Sequence, residues 1–389
     1  MRILVAFVVL SVASVLGNDL AEFVKSNNEF SANVYKELAK ENDGNFVVCP
    51  MSTEIALSMV HAGAKKQTAE QLAHGMSLPN SVSKVKSMME VLIPELKSDP
   101  NVYTLKTLNK LYVSDDLKIS SDYKTTVTDV FKSEVENVDF KKGSEAVDKI
   151  NGWVSKSSDN HIKELIQNSD IDDNTKAVLL NSIYFQATWA KQFNDKETKK
   201  TKFYASKVGD VEVDMMDTTG NFEHRRCGYF NAQFLKMPYI GKDLTMVVIL
   251  PNEKDGLAHI EANIQDIFGA QKFSNKKVHV NFPKFKMDAT IRFIPILRKL
   301  GIVDLFVPGA DLSGITSNSL PLYITNVIQK NYVEVNEKGT IAASATAAIV
   351  GLGSSFNPEP PVEFIADHPF IYYIESPAGI LFIGRYSGH

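Results

Sequence analysis

Residues 177–189, AVLLNSIYFQATW, form a nearly continuous apolar run. A strand with one wet face alternates apolar with polar residues, whereas an unbroken run is the pattern of a strand covered on both faces. The chain must therefore set this segment inside a sheet and cover it from both sides. Before the run, apolar residues recur at helical spacing in 19–40 (Phe23, Phe30, Val34, Leu38), in 52–60 and 68–72 with a break near Gly63, in 82–97 (Val85, Met88, Met89, Leu92, Leu96) and in 145–166 (Ile150, Trp153, Val154, Ile162, Leu165). Strand signals interrupt these helices at 103–113, closed by a Ser114-Asp115 turn, and at 135–140. After the run, strands dominate, at 234–237, 244–250, 278–285, 322–327, 364, 370–374 and 381–384. One helix is expected at 293–300, with Pro295 in its first turn, where proline is tolerated, and Gly301 as its C-cap. Helices gathered early and strands late predict an α+β fold with large sheets in one body.

The remaining composition narrows the function. Met1-Arg2, the apolar stretch 3–16 and Gly17-Asn18 have the basic start, short apolar centre and small-residue end of a secretory signal peptide. This predicts cleavage after Gly17 and a secreted extracellular protein, whose remaining residues 18–389 make, by length, one large domain or two. The run is too short for a membrane span, and no later stretch reaches the roughly 18–20 apolar residues a span needs. Net charge is −4 with the charges interleaved, which leaves no footprint for nucleic acid. Cys49 and Cys227 are the only cysteines. They could form one bridge, although two buried free thiols are expected, and there is no disulfide framework either way. No Asn carries the Asn-x-Ser/Thr acceptor pattern. None of the eight His lies in an HExxH pair, and GxSxG, GxxxxGK[ST] and GxGxxG are all missing. No enzyme signature, metal site or cofactor site is expected, and single histidines such as His161 and His279 read as satisfied surface or core groups.

One stretch fits none of these elements. Residues 334–361, EVNEKGTIAASATAAIVGLGSSFNPEPP, open on acidic and glycine residues, run through Ala, Ser and Thr, and close in Gly, Ser and Pro. Nothing in the middle is large enough to anchor a core. A long structureless loop in a compact domain is usually functional or disordered.

Several segments together resemble one family. They are 45–52 (NFVVCPMS), Gly63-Ala64 with Thr68, Gln71 and Leu72, 134–140 with Val135, Val138 and Phe140, Ile150-Asn151 with Trp153-Val154, and Asn181 with Ile183, Tyr184, Phe185 and Trp189. They continue with Met237-Pro238-Tyr239, Gly241, Leu250-Pro251, 280–285 (VNFPKF), Leu300-Gly301, 334–340 (EVNEKGT), 367–370 (DHPF) and 381–385 (LFIGR). Each is weak alone, but in this order and spacing they cover nearly the whole chain after residue 17. The chain resembles the serpins. The resemblance implies a single domain over 18–389 of three β-sheets and about eight or nine helices, with an exposed reactive-centre loop at about 338–360.

It also implies what the loop does. A protease attacks it as a substrate and forms an acyl-enzyme. The freed arm then inserts into the main sheet as a new strand and carries the protease with it, a behaviour for which serpins are a general example. Inserted side chains alternate between faces. The set Thr340, Ala342, Ser344, Thr346, Ala348 and Val350 is implied to face the interior, and Ile341, Ala343, Ala345, Ala347 and Ile349 the other side. Ile341 sits where relatives often carry an acid. The hinge residues are Glu337, Gly339, Thr340, Ala342 and Ser344. The family's arm length places the scissile bond at Gly353-Ser354, with Leu352-Gly353 one residue earlier; the shorter return segment of some relatives points near Phe356. No Lys or Arg lies between Ile341 and Pro369, which disfavours a trypsin-like target and suits an elastase- or chymotrypsin-like serine protease, held as a covalent complex by a monomeric inhibitor.

A polar cluster controlling sheet opening is implied at Cys49, Ser52, Asn181 and Gln329, with Trp189 at the sheet's upper end. Cys49 stands where relatives commonly have Ser, and Gln329 where they commonly have His. Lys84, Lys86 and Lys97, or Lys199, Lys200 and Lys202, could bind a sulfated polysaccharide, or be plain solvated faces. The other readings are a non-inhibitory carrier, chaperone or storage serpin, and an inhibitor of a cysteine protease.

Overall fold

The apolar run at 177–189 becomes a strand, β4 (Ala177–Thr188), buried from Ala177 through Phe185. A computed structural model describes residues 2–97, 102–205, 209–241, 243–269, 272–340 and 360–388, with side chains from Gly17 onward. Before β4 come α1 (Arg2–Glu41), β1 (Phe46–Val48), α2 (Pro50–His61), α3 (Lys66–Gly75), α4 (Val82–Glu95), β2 (Tyr103–Ser114), α5 (Ser121–Asp129), β3 (Glu134–Val138) and α6 (Ser144–Ser157). After it come β5 (Lys199–Ala205), β6 (Gly209–Cys227), β7 (Ala232–Pro238), β8 (Thr245–Pro251), α7 (Leu257–Ala262), β9 (Ser274–Pro283), β10 (Phe285–Arg292), α8 (Ile294–Lys299), β11 (Asn326–Asn336), β12 (Gly339–Thr340), β13 (Val362–Ile365), β14 (Phe370–Ser376) and β15 (Gly379–Tyr386).

The sheet that holds β4 has six strands in the order β10-β11-β12-β4-β2-β3. One of its faces is covered by α6, whose Val147, Ile150 and Val154 pack with Val178, Leu180 and Ile328. The other faces α2, which is buried along its whole length because it lies between this sheet and the second one, touching β4 and β2 on one side and β15 on the other. This double cover is what the unbroken run required. Asn151 holds the chain leaving α6 on the sheet: its Oδ1 accepts the N–H groups of Leu165 and Ile166 (2.9 and 3.1 Å). The expected helix over 145–166 thus ends at Ser157, and its last apolar residues pack as an extended segment.

The second sheet runs β1-β15-β14-β8-β7-β6-β9-β13, with β5 also on β6. Two of the three sheets expected from the resemblance are continuous here. β6 is long enough to pair β5 and β9 through its first part and β7 through Glu223–Cys227. The single strand expected at 278–285 is two strands, because the chain crosses from one sheet to the other between Pro283 and Phe285. The strand expected at 322–327 begins at Asn326 and continues to Asn336. Among the described residues both cysteines are free and buried, and no helix is long and apolar enough to cross a membrane.

One ionisable group is sealed into the helical layer. Glu54 of α2 is buried, and its Oε2 accepts a hydrogen bond from Asn27 Nδ2 of α1 (3.1 Å). Asn27 Oδ1 in turn accepts the N–H of Ile380 on β15 (2.7 Å), tying both helices to the sheet. Burial pushes the Glu54 carboxyl well above the usual carboxylate range, outweighing the Asn27 hydrogen bond. The unfolded chain releases this proton at about pH 4.3 while the fold retains it, so this residue's contribution to stability falls as pH rises from there. Glu54→Gln should melt with the parent near pH ~4 and gain on it toward neutrality by up to about 1.4 kcal/mol per pH unit. Thermal melts across pH test this, and a gap that does not widen with pH contradicts it.

Candidate functional site

β4 and β11 pair in parallel from Val178 and Asn326 up to Tyr184 and Tyr332. Above that point they part. No register pair among the described residues joins Val333 and Glu334 of β11 to Phe185 and Gln186 of β4 across the seam. Higher still the gap is filled by β12, where Thr340 pairs with Val335 on one side and Ala187 on the other, and Gly339 with Asn336 and Thr188. The root of the loop is thus a two-residue strand already seated between two strands of the six-stranded sheet.

The site selects its residues by space and hydrogen bonding. Gly339 has φ +153°, and a Cβ there would lie 2.1 Å from the Ala187 carbonyl oxygen and 2.7 Å from Thr188 Cα, so no side chain fits. Thr340 is fully buried, and its hydroxyl pairs with Tyr239 Oη (2.9 Å). Tyr239 stacks on Trp189 (4.4 Å between centroids, 10° between planes). Trp189 Nε1 donates to the Asn336 carbonyl (3.0 Å) and its backbone N–H to the Lys338 carbonyl (2.9 Å). The Glu337 carboxylate accepts from Thr198 Oγ1 (2.8 Å) and faces Lys284 Nζ (3.1 Å). Burial works to raise the Glu337 carboxyl, but the backbone, Thr198 and Lys284 together hold it below the usual range. On the far side of the loop, β13 is pinned by Glu363, which shares His279 with Asp217 (2.6 and 2.8 Å). Carboxylates only accept, so both ring nitrogens donate and the ring is cationic.

Midway along the seam, Asn109 of β2, Asn181 of β4 and Gln329 of β11 stand in register on the α2 side. Gln329 Oε1 accepts the Cys49 N–H (3.0 Å), and its Nε2 is shared among the Cys49 carbonyl (2.8 Å), Thr53 Oγ1 (2.8 Å) and Asn181 Oδ1 (2.5 Å). Asn181 Nδ2 donates to Ser52 and to Asn109 Oδ1. The row bolts β2, β4 and β11 to the start of α2. It contains no titratable group except the Cys49 thiol, which burial pushes far up. On the α6 side, Tyr184 and Tyr332 stack across the last pair (6.5 Å), with His161 over Tyr184 (4.0 Å).

The structure thus brings together Glu337, Gly339, Thr340 and Trp189 at the loop root, and Cys49, Ser52, Asn181 and Gln329 lower on the same seam. Ala342, Ser344, Leu352, Gly353 and Ser354 lie outside the described residues. Asn109, Thr198, Tyr239 and Lys284 enter the site without having been singled out for it. Tyr239 and Lys284 fall within the family-like segments, while Asn109 and Thr198 have no local sequence signal. The lysines do not gather. Lys84 is paired with Asp19 and Glu22, Lys86 reaches Thr126 Oγ1 (3.4 Å), and Lys97 stands apart on the surface. Lys200 and Lys202 face Asp214 and Asp210 along β5 and β6, with Lys199 exposed beside them.

The sequence profile described as Serpin (serine protease inhibitor) matches residues 25–388. "Serpin B6" of Pongo abelii is 34% identical over 375 residues, covering 93% of this chain and 98% of its own. "Iripin-8" of Ixodes ricinus is 32% identical over 381 residues, covering 95% and 94%. Among solved structures, Serpin48 of the insect Tenebrio molitor, described as a highly specific serpin, superposes with a TM-score of 0.87 at 32% identity, covering 95% of this chain and 98% of that one. With a seam of this geometry and likeness along nearly its full length, the chain belongs to the serpin family, a family of protease inhibitors rather than enzymes.

Proposed function

We propose that this serpin is a secreted, irreversible inhibitor of an elastase- or chymotrypsin-like serine endopeptidase, acting through cleavage of residues 338–360 and insertion of the freed arm. The observation that carries this reading is β12. The first two residues of the arm already occupy the strand position that the rest would fill. Continued in register, the same ladder runs down the seam between β11 and β4. Positions 343 and 347 then fall between Tyr332 and Tyr184 and between Ile328 and Leu180, on the face that α6 covers. Both are alanine in the sequence, which suits a strand that must pass beneath a helix. Ile341 falls between Glu334 and Gln186, above the tyrosine pair.

The chemistry belongs to the target. Its serine attacks the carbonyl carbon of residue 353, the bond to Ser354 breaks, the new amine takes the proton, and the arm stays esterified to the protease. Insertion of residues 341–352 at about 3.3 Å each carries that ester roughly 40 Å along the sheet. Each new backbone hydrogen bond contributes about 0.5–1.5 kcal/mol, so a dozen give on the order of 10 kcal/mol. The protease's active site is distorted at the end of this travel and the ester survives. Leu352 and Gly353 suit apolar or small specificity pockets. For secretion, Asp19, two residues past the expected cut, is already buried against Lys84 and Ser87, so removing 1–17 leaves that anchor in place.

Incubation with elastase or chymotrypsin should give an SDS-resistant complex, trypsin should give none, and mass spectrometry should place the cut at 352–354. Cleavage without a complex would favour the carrier or storage reading, and a complex only with a cysteine protease the third reading. Thr340→Arg should convert the inhibitor into a substrate. An unpaired buried charge costs about 3–5 kcal/mol, so turnover of cleaved product should exceed complex formation at least about tenfold. Undiminished trapping by that variant would contradict insertion at this position.

A further inference from the structure

Asn331 sits on β11 two residues above Gln329, in the row that faces α2. It is fully buried, yet neither its Oδ1 nor its Nδ2 has a hydrogen-bond partner. Its register neighbours cannot supply one through their side chains, since they are Ala289 on β10 and Ile183 on β4. Buried polar side chains are nearly always paired, and an unpaired one destabilises the state that contains it. A hydrophobic residue would fill the place without that penalty.

The register of β12 offers a partner. Counting down the ladder from Thr340 opposite Val335, the inward positions of the arm meet the inward row of β11 in four successive pairs. Ala342 falls opposite Val333, Ser344 opposite Asn331, Thr346 opposite Gln329 and Ala348 opposite Val327. Methyl meets apolar and hydroxyl meets carboxamide at every step. A slip of two residues one way would bring Ala342 opposite Asn331 and leave its amide unmet, and a slip the other way would bring Thr346 to Asn331 but set Ser344 against Val333 and Ala348 against Gln329.

We infer that Asn331 is a positioning residue for arm insertion: its carboxamide is left unpaired in the uncut protein and is capped by the Ser344 hydroxyl in the inserted form, which sets the register of the new strand. This rests on the proposed insertion, and it adds a residue-level reason for both the drive and the alignment. The uncut form carries a defect that a hydroxyl of the arm repairs, and only the continued register also sets Thr346 against Gln329.

A double-mutant cycle on the full chain tests it. Asn331→Leu, Ser344→Ala and the double variant are unfolded in guanidinium before and after a single loop cut. Asn331→Leu should raise the midpoint of the uncut form. In the cut form, Ser344→Ala should shift the unfolding equilibrium by about fivefold, the worth of one net hydrogen bond, in the Asn331 background and not in the Leu background. In the uncut form it should shift neither. The trapped fraction of protease should fall for Asn331→Leu. If Asn331→Leu does not fold, Asn331→Ala takes its place in the cycle. Equal effects of Ser344→Ala in both backgrounds of the cut form, or a destabilised uncut Leu variant, overturn the inference while leaving insertion standing. A parent protein that gains no stability on cutting overturns insertion itself.

Discussion

The parallel pairing of β4 with β11 stops at Tyr184 and Tyr332, and the functional parts of the molecule are arranged around that stop. Two adjacent strands of a buried sheet ordinarily pair along their whole overlap, because unmatched backbone groups in a core are expensive. Here they pair below, part above, and, among the described residues, hold Gly339 and Thr340 between them. The lower seam is bolted by Asn109, Asn181 and Gln329 to the start of α2. The upper seam is held by Trp189, Tyr239 and the Glu337–Lys284 pair. One set joins the strands where the proposed insertion would have to part them, and the other holds Gly339 and Thr340 where it would begin.

The two clamps differ in chemistry, and the difference bears on regulation. The lower one is built from amides and hydroxyls, so Gln329 in place of a histidine makes its hydrogen bonds independent of pH across the physiological range. The upper one includes a carboxylate–lysine pair near the surface, and the return of the loop is pinned by a cationic His279 between Asp217 and Glu363. The ion pairs of this region thus lie at the loop's two attachments and not in the amide row below.

Much of this was legible in the sequence, for identifiable reasons. β4 could be read because burial on both faces leaves a run without polar alternation. Gly339 and Thr340 were legible through the family resemblance, and the structure gives the local reason: no Cβ fits against the Ala187 carbonyl, and the Thr340 hydroxyl pairs with Tyr239. The β5–β6 hairpin was missed because its lysines and aspartates pair across the exposed face and hide Phe203, Val213 and Met215 beneath. α5 was missed because only Tyr123 and Val127 are buried on it. Asn109 gave no signal, since its partner Asn181 is 72 residues away and such pairings have no local pattern. The strand expected at 322–327 was displaced because Leu322 and Ile324 are buried without joining a sheet; Ile324 N–H bonds to the Leu305 carbonyl (3.0 Å) instead.

The proposed mechanism treats the sheet as stored one strand short, with the missing strand carried in the same chain. Amide hydrogen exchange across residues 341–352, followed before and after one cut in the loop, addresses this most directly. Cutting should turn those amides from fast to slow exchange, together with the seam-facing backbone of 185–186 and 333–334. Exchange in the arm that stays equally fast after cutting would mean that the severed arm does not enter the sheet.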